Sequence, residues 1–324
     1  MKGFMPDVFR RLNYGIKALF FNIEATTLNL YFSLEPKHRL TLVDVGAAGD
    51  IEPRWQRVKR DLRYISFEPD CRSQVEAAHA NGTDSHVIFN HAVWDRDGEV
   101  EINLCRKAQV SSTFAPNRQV LDRFPAAARF DIVAVESVKA QTLDQSLEEP
   151  VDFIKIDVQG GALKVLQGAK TTLAQCLGLE LEIEFVEMYT GQPLFGRVSQ
   201  ELTEIGFDFI DFVDIVRWER TSHNGMGQVI FCDALFMRSP EWVIENATES
   251  QSLAYLKICL LYNRFDLALS VLNNTSNSLR INVEQNMIKI SELHNIFNIK
   301  LLLMKHIYKF LFKNGYLHRF YSTY

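Results

Sequence analysis

From about residue 40 onward, short apolar runs alternate with helix-length polar stretches, and this alternation constrains the fold more than any other feature. LTLVDV (40–45) and YISFEPD (64–70) have the length and composition of strands. VDFIKIDV (151–158) is almost continuously apolar, as in a strand buried on both faces. One helix is predicted to begin at Pro53, another to end at Gly82, and a third to span GALKVLQGAKTTLAQCLG (161–178). Strands that alternate with helices predict a mostly parallel, doubly wound α/β sheet.

The end of this region predicts a departure from a fully parallel sheet. LGLELEIEFVE (177–187) has leucine and isoleucine on one face and glutamates on the other. FDFIDFVDI (207–215) and GQVIFCDALFMR (227–238) follow as two strands with no helix between them. Strands joined in this way are most easily antiparallel, so we expect an antiparallel terminal pair. Residues 106–130 are polar and predict a long loop.

Helical segments flank the sheet region on both sides. We expect an N-terminal helical extension over 1–38, the α/β domain over 39–239 and a helical segment over 240–324. The apolar stretch near the N-terminus is interrupted by Lys17 and Glu24, which predicts a packed helix and not a membrane span.

Charge is unevenly distributed along the chain. The net charge of −5 gives no reason to expect a nucleic-acid partner, whereas Lys300–Tyr324 holds five basic residues and no acid. Lys305, Lys309 and Lys313 fall on one helical stripe. A basic amphipathic helix of this kind can lie weakly on an anionic membrane surface. It can equally be a terminal helix packed on the body with its lysines in water, and the sequence leaves the oligomeric state open.

The five cysteines predict reduced thiols in a cytoplasmic protein. They are odd in number, widely spaced and never arranged as a CxxC pair. This pattern favours neither a disulfide framework nor a zinc site, and we predict no metal.

The run LVDVGAAGD predicts a nucleotide-binding loop. Gly46 and Gly49 allow a ligand to approach the backbone at Ala47 and Ala48. Glu68 lies 22 residues beyond Gly46, at the end of the next predicted strand, where an acid takes up the hydroxyls of a ribose. A loop plus a ribose acid indicates an adenosine-containing cofactor; the alternative is a tight turn and a surface acid.

Asp44 distinguishes between the cofactors that such a loop can hold. A dinucleotide site has glycine directly after the strand, whereas this chain has an acid there. A pyrophosphate would meet Asp44 as a like charge, but S-adenosylmethionine carries a sulfonium and an amino group that an acid attracts. The sequence therefore favours S-adenosylmethionine over NAD.

Several segments resemble the FkbM-type S-adenosylmethionine-dependent methyltransferases. The resemblance runs from about residue 41 to residue 238, and its segments, in order, are VDVGAAGD, FEPD, HAVWDRDGEVEINL, QTLDQSL, VDFIKIDVQGGALKVLQGA and ELEIEFVEMYTGQPLF. It implies a Rossmann-like class I methyltransferase sheet and methylation of a hydroxyl on a glycan or secondary metabolite. Two departures from the family pattern stand out: Asp50 where many members have a glycine, and Gln159 where many have glutamate.

Four acidic or basic side chains are candidates for the general base that a weakly nucleophilic hydroxyl needs. Asp157 ends a buried strand beside the cofactor loop, although it could instead cap the following helix. Glu182 and Glu184 lie on the polar face of the next strand, which could simply be solvated or covered by a helix. HVIFNHAV (86–93) predicts the third strand along the chain; His91 lies near its carboxyl end and could be a packed, hydrogen-bonded histidine.

Acceptor recognition is predicted from two loops on the cofactor side. Ser111, Ser112 and Asn117 lie in the first loop and Gln192 in the second, although polar residues occur in any surface loop. Asp157 with Glu182 or Glu184 could hold Mg²⁺, but no local ligand spacing supports this. The alternative function is a catalytically inactive methyltransferase-like partner in glycan assembly.

Overall fold

A computed structural model of the chain describes residues 4–34, 39–49, 51–70, 72, 85–221, 227–272 and 277–313. The chain forms two compact units, which are Lys37–Ile258 and Met1–Pro36 with Cys259–Tyr324. The domain boundaries expected from the sequence stay a prediction. Asp50, Cys71 and most of the helix predicted to end at Gly82 lie outside the described residues.

The described residues of the first unit form ten strands. They are β1 (Leu40–Val45), β2 (Leu62–Phe67), β3 (His86–Phe89), β4 (Ala92–Val93), β5 (Gly98–Cys105), β6 (Ile132–Gln141), β7 (Phe153–Ile156), β8 (Gly178–Glu184), β9 (Asp208–Trp218) and β10 (Gln228–Met237). The α-helices of the described chain are Phe4–Ser33, Pro53–Gln56, Arg118–Leu121, Leu143–Ser146, Ala162–Gln167, Lys170–Gln175, Phe195–Glu204, Pro240–Asn246, Glu249–Leu261, Phe265–Leu272 and Asn277–Lys313.

The main sheet has seven strands in the order β3-β2-β1-β7-β8-β10-β9. The first five strands of this order run parallel, whereas β10 is antiparallel to both β8 and β9. The prediction of a mostly parallel sheet with an antiparallel terminal pair is therefore confirmed. The strand order reverses between β1 and β7, which creates the crevice where open α/β sheets bind ligands.

The core explains why the central strands are so apolar. Val43, Ile154 and Leu181 are fully buried against the helices on one face of the sheet. Leu179, Leu181 and Ile183 face this core, as predicted, and the glutamates of β8 point to the other face. That other face is not solvated, because Glu180 and Glu184 are both buried.

A second sheet of three strands, in the order β4-β6-β5, was not predicted. The third predicted strand is in fact two, because His91 and Asn90 separate β3 in the main sheet from β4 in the second. No strand was predicted over the residues of β6. Much of β6 is exposed on both faces, so its sequence lacks the strict apolar–polar alternation that marks a half-buried strand.

The loop predicted over residues 106–130 contains ordered structure. A helix spans Arg118–Leu121, and 3-10 turns span Ala108–Val110 and Ala127–Phe130. Leu121, Phe130 and Tyr189 belong to a separate apolar cluster beneath this segment. The segment is polar on average, which hid the few apolar residues that anchor it.

Two predicted helices are shorter than expected. The helix at Pro53 ends at Gln56, and a 3-10 turn leads directly into β2. The predicted helix over 161–178 is two helices, separated at Gly168. A Cβ at Gly168 would lie 2.1 Å from the carbonyl oxygen of Trp94, so the backbone at this position approaches β4 too closely for a side chain.

The second unit contains the N-terminal helix, Phe4–Ser33, and the C-terminal helices. Phe4–Ser33 packs against Asn277–Lys313, the longest helix. None of the described helices is long and apolar enough to cross a membrane. The side chains of Lys305, Lys309 and Lys313 lie outside the described residues, and their contact with a membrane surface stays a prediction.

Candidate active site

A cavity of about 310 Å³ opens at the carboxyl ends of β1, β2 and β7. This is the crevice beside the reversal of strand order between β1 and β7. Part of its wall comes from the segment that leads from β5 into the 3-10 turn at Ala108. Of the residues predicted for the site, the cavity is lined by Asp44, Gly46, Ala47, Ala48, Glu68, His91, Ser111, Ser112 and Asp157.

Gly46 brings the loops after β1 and β7 into contact. Its φ is +85°, and a Cβ at this position would lie 1.9 Å from the carbonyl oxygen of Asp157. Both the backbone conformation and the lack of space therefore require glycine. Gly49 also has a positive φ, of +112°, but has open space around it and does not line the cavity.

Asp44 presents one unpartnered oxygen at the cavity. Its Oδ2 accepts a hydrogen bond of 2.8 Å from the Tyr64 hydroxyl, and its Oδ1 lies 3.9 Å from Lys155 Nζ. Within the described residues, Oδ1 has no hydrogen-bond partner although it is buried. Burial raises the pKa of Asp44, which Lys155 and the Tyr64 bond partly counteract. An unpartnered buried carboxylate oxygen favours a donor from a ligand.

Glu68 ends β2 on the other side of the cavity. It is 8% exposed and accepts a hydrogen bond of 2.7 Å from the backbone N–H of Asp70. Burial raises the pKa of Glu68 to about 7, and the negative charges of Asp70, Asp157 and Asp44 add to this effect. Glu68 is therefore an acid whose charge changes near neutral pH.

Asp157 directly follows β7 and faces the same cavity as Asp44. Its Oδ1 accepts a hydrogen bond of 3.0 Å from Gln159 Nε2, and its Oδ2 lies 3.9 Å from Lys155 Nζ. The next helix begins only at Ala162, and its N-cap residue, Gly161, has no side-chain capping bond. The alternative in which Asp157 caps that helix is therefore not what the geometry shows.

Glu182 and Glu184 do not line the cavity. Glu182 accepts a hydrogen bond of 2.6 Å from Gln159 Nε2, so it reaches the cavity only through Gln159. Burial raises the pKa of Glu182 well above its ordinary value, and the charge of Asp157 raises it further. Burial raises the pKa of Glu184 to about 8.

His91 is held by packing and by one hydrogen bond. Its ring lies 5.3 Å from that of Phe67, and its Nε2 is 3.0 Å from Ser146 Oγ. Burial lowers the pKa of His91, with a further contribution from Lys139. These contacts fit the packed, neutral histidine that was the alternative to a catalytic base.

The predicted acceptor residues do not all lie together. Ser112 Oγ donates a hydrogen bond of 2.7 Å to the carbonyl oxygen of Gln159, and Ser111 Oγ accepts one of 3.0 Å from the N–H of Cys105. Both serines line the cavity, whereas Asn117 and Gln192 do not. Gln192 Oε1 instead accepts a bond of 2.5 Å from the backbone N–H of Tyr189.

Lys155 is a residue of the site that the sequence analysis missed. It lines the cavity between Asp44 and Asp157, with its side chain 19% exposed. Burial alone would lower its pKa, but the surrounding carboxylates, led by Asp44 and Asp157, more than offset burial and raise it. The signal was present in the sequence, because Lys155 is a basic residue within an otherwise apolar strand.

Four of the five cysteines are buried, reduced thiols, namely Cys105, Cys176, Cys232 and Cys259. In the described parts of the chain, no group of three or more histidine, cysteine or acidic side chains is arranged to hold a metal ion.

A parallel sheet closed by an antiparallel pair, with an acid and a glycine after its first strand, defines the class I methyltransferases. The methyltransferase FkbM domain model matches residues 44–209. The chain therefore belongs to the FkbM methyltransferase family. This assignment confirms the resemblance noted in the sequence and supports S-adenosylmethionine as the cofactor.

One curated relative is the 2-O-methyltransferase NoeI of Sinorhizobium fredii. It is 26% identical over 172 residues, which cover 49% of this chain and 70% of NoeI. The aligned region includes less than half of the present chain.

Solved structures resemble the chain only distantly. The methyltransferase FkbM of Methylobacillus flagellatus is 11% identical with a TM-score of 0.36, and the match covers 62% of this chain and 44% of that one. A Burkholderia thailandensis N1-methyltransferase with bound S-adenosylhomocysteine is also 11% identical, with a TM-score of 0.30 and coverage of 72% and 87%. The chain thus spans less than half of the length of the FkbM structure, and TM-scores this low do not support a functional comparison.

Replacing Gly46 by alanine should strongly destabilise the first unit, because the new Cβ would overlap the carbonyl of Asp157. We expect Gly46→Ala to lower the free energy of unfolding by about 3 kcal/mol or more, measured by urea denaturation at pH 7. Gly49→Ala is the matched control: it has a positive φ but open space, so it should cost only about 1 kcal/mol. Equal losses in the two variants would contradict the close approach.

Proposed function

We propose that this member of the family is an S-adenosylmethionine-dependent methyltransferase that methylates a hydroxyl group of a glycan or secondary metabolite. The observation that carries the proposal is the pair of buried acids, Asp44 and Glu68, which line the cavity beside the glycine loop. The activity, acceptor and partners of the whole protein are part of the proposal.

The residues at the cavity fit the cofactor. Asp44 Oδ1 accepts no hydrogen bond from the described residues and would accept one from the amino group, and the Glu68 carboxylate would accept bonds from the ribose hydroxyls. Gly46 allows the loop after β1 to lie against the backbone of Asp157, where a Cβ has no space. When bound, S-adenosylmethionine supplies an electrophilic methyl group.

Asp157 is our candidate for the general base. It borders the same cavity as Asp44, and a hydrogen bond from Gln159 fixes one of its oxygens while the other faces Lys155 at 3.9 Å. Oδ2, the oxygen that faces Lys155, would accept the proton of the acceptor hydroxyl.

A hydroxyl acceptor is favoured over other acceptors by the similarity to NoeI, whose name describes transfer to an oxygen. The position of Asp157 at the cavity also supports a hydroxyl acceptor, because a neutral hydroxyl is a poor nucleophile and needs a base.

Binding measurements separate this proposal from its alternatives. Calorimetric titration with S-adenosylmethionine, S-adenosylhomocysteine and NAD should give binding for the first two ligands and none for NAD. An inactive module in glycan assembly would bind the cofactor weakly or not at all, and its retention of the two acids would be without purpose. Lack of binding by both sulfur ligands would contradict the proposal.

Protonation of Glu68 should make cofactor affinity depend on pH. Because its pKa is about 7, Glu68 is ionised above neutrality and becomes a poorer acceptor for ribose hydroxyls below it. We expect the affinity for S-adenosylhomocysteine to fall by up to about tenfold from pH 8 to pH 6. Glu68→Gln is neutral throughout this range, so it should bind weakly with little pH dependence. The same pH slope in both proteins would contradict the role of Glu68.

Asp157→Asn should separate binding from transfer. Loss of a general base should lower the transfer rate by about 100-fold or more, whereas the affinity for S-adenosylhomocysteine should change by less than about threefold. Transfer is measured with donor labelled in the methyl group on a panel of oligosaccharides and polyhydroxylated metabolites. Label that survives mild alkali indicates a methyl ether and excludes a methyl ester.

Asp122→Asn is the matched control, because Asp122 is an exposed acid outside the cavity. It should transfer methyl groups at the wild-type rate. Equal rates in Asp157→Asn and Asp122→Asn would remove Asp157 as the base.

A further inference from the structure

Gln159 lies between two carboxylates. Its Nε2 donates a hydrogen bond of 3.0 Å to Asp157 Oδ1 and one of 2.6 Å to Glu182 Oε1. The two acids come from different strands, β7 and β8, and they meet at one nitrogen atom. An amide nitrogen has two hydrogens, so a single Gln159 can serve both carboxylates at once.

The other contacts of Gln159 fix the orientation of its amide. Its Oε1 accepts a hydrogen bond of 2.8 Å from the Tyr189 hydroxyl. Carboxylates accept hydrogen bonds, so the amide nitrogen belongs beside the two acids and Oε1 beside the Tyr189 hydroxyl, which also lies 3.0 Å from the carbonyl oxygen of Val110. The Gln159 side chain is therefore fully hydrogen-bonded at both ends.

The backbone at Gln159 is also constrained. Its φ is +49°, which is unusual for a residue with a side chain, and Gly160 follows with a φ of +87°. The carbonyl oxygen of Gln159 accepts a hydrogen bond of 2.7 Å from Ser112 Oγ. Such a conformation persists only where the surroundings enforce it, and it directs the side chain at the two acids.

Two carboxylates this close need a compensating partner. Like charges are tolerated when the pair shares a proton, binds a cation or receives hydrogen bonds from a neutral donor. The titratable groups that interact by charge with one or both of these acids are Lys155, Glu184, Asp233, Tyr189, Asp44 and Glu68. Lys155 approaches Asp157 only to 3.9 Å, so the neutral donor in direct contact with both acids is the Gln159 amide.

We propose that Gln159 is a positioning residue that holds Asp157 at the cavity and joins it to Glu182 through a neutral amide donor. This inference rests on the proposed role of Asp157 as the base. It assigns a reason for glutamine at this position, because a glutamate of the same shape would place three carboxyl groups around one point.

Gln159→Glu tests the inference through the pH dependence of stability. A carboxyl group at position 159 would have a folded-state pKa raised above its unfolded value of about 4.3 by its two acidic neighbours. Its unfolded form ionises first, so its contribution to stability is lost as the pH rises above about 4.3. We expect the Tm deficit of Gln159→Glu relative to wild type to be larger at pH 8 than at pH 5 by about 3 °C or more.

Gln200→Glu is the matched control. Gln200 also donates to a carboxylate, that of Glu204 at 2.8 Å, but on an exposed helix surface with a single acid. Water should screen the new charge there, so its Tm deficit should not change with pH by more than about 1 °C. Equal pH dependence in Gln159→Glu and Gln200→Glu would overturn the inference.

The double variant Asp157→Asn with Gln159→Glu shows whether Asp157 is the neighbour responsible. Removing the Asp157 charge should abolish at least half of the extra Tm loss at pH 8, whereas additive losses would overturn the inference.

Gln159→Met, which lacks both donor hydrogens, should lower kcat for methyl transfer at least tenfold with cofactor affinity unchanged. A wild-type kcat would overturn the inference. The thermal measurements use no ligand, so their outcome is independent of whether the proposed methyl transfer is found.

Discussion

The close approach of two backbone segments at the reversal of strand order is the constraint on which the site depends. Gly46 directly follows β1 and Asp157 directly follows β7. The two backbone segments are in contact at Gly46, where a Cβ has no space. The contact sets the side chains of Asp44 and Asp157 on the same cavity. Any residue other than glycine at this position would push apart the two strands that supply the acids, so the loop is conformationally fixed before any ligand enters.

Buried charge is the second determinant of the site. Asp44, Lys155 and Glu180 follow one another across β1, β7 and β8 in register, and Arg54 closes the row with a bond of 2.8 Å to Glu180. Removing such groups from water costs several kcal/mol for each unpaired charge, and the alternation of sign along the row offsets that cost. The row is therefore stable as a set, and a change at one member alters the electrostatics of its neighbours.

Much of this arrangement could be predicted from the sequence because it obeys local rules. The apolar run that became β7 and the glutamate alternation of β8 indicated strands, and the distance from Gly46 to Glu68 indicated the two ends of the cavity. What could not be predicted depends on contacts between distant segments. The second sheet forms because β6 pairs with β5, and its exposed strand has no pattern of its own. Gln159 was noted only as a departure from a family pattern, because its two carboxylate partners come together only in the folded chain.

Lys155 changes the electrostatic argument for the cofactor. The sequence predicts that the charge of Asp44 favours a cationic ligand. In the structure, the Lys155 ammonium lies 3.9 Å from Asp44 and offsets part of that charge. The preference for S-adenosylmethionine must therefore come from the direction of the hydrogen bonds that Asp44 can accept, more than from net charge. Asp44 Oδ2 is occupied by Tyr64, whereas Oδ1 is buried at the cavity with no partner in the described chain. A pyrophosphate offers no hydrogen to such an oxygen, but an amino group does, so the hydrogen-bonding geometry discriminates between the ligands in addition to charge.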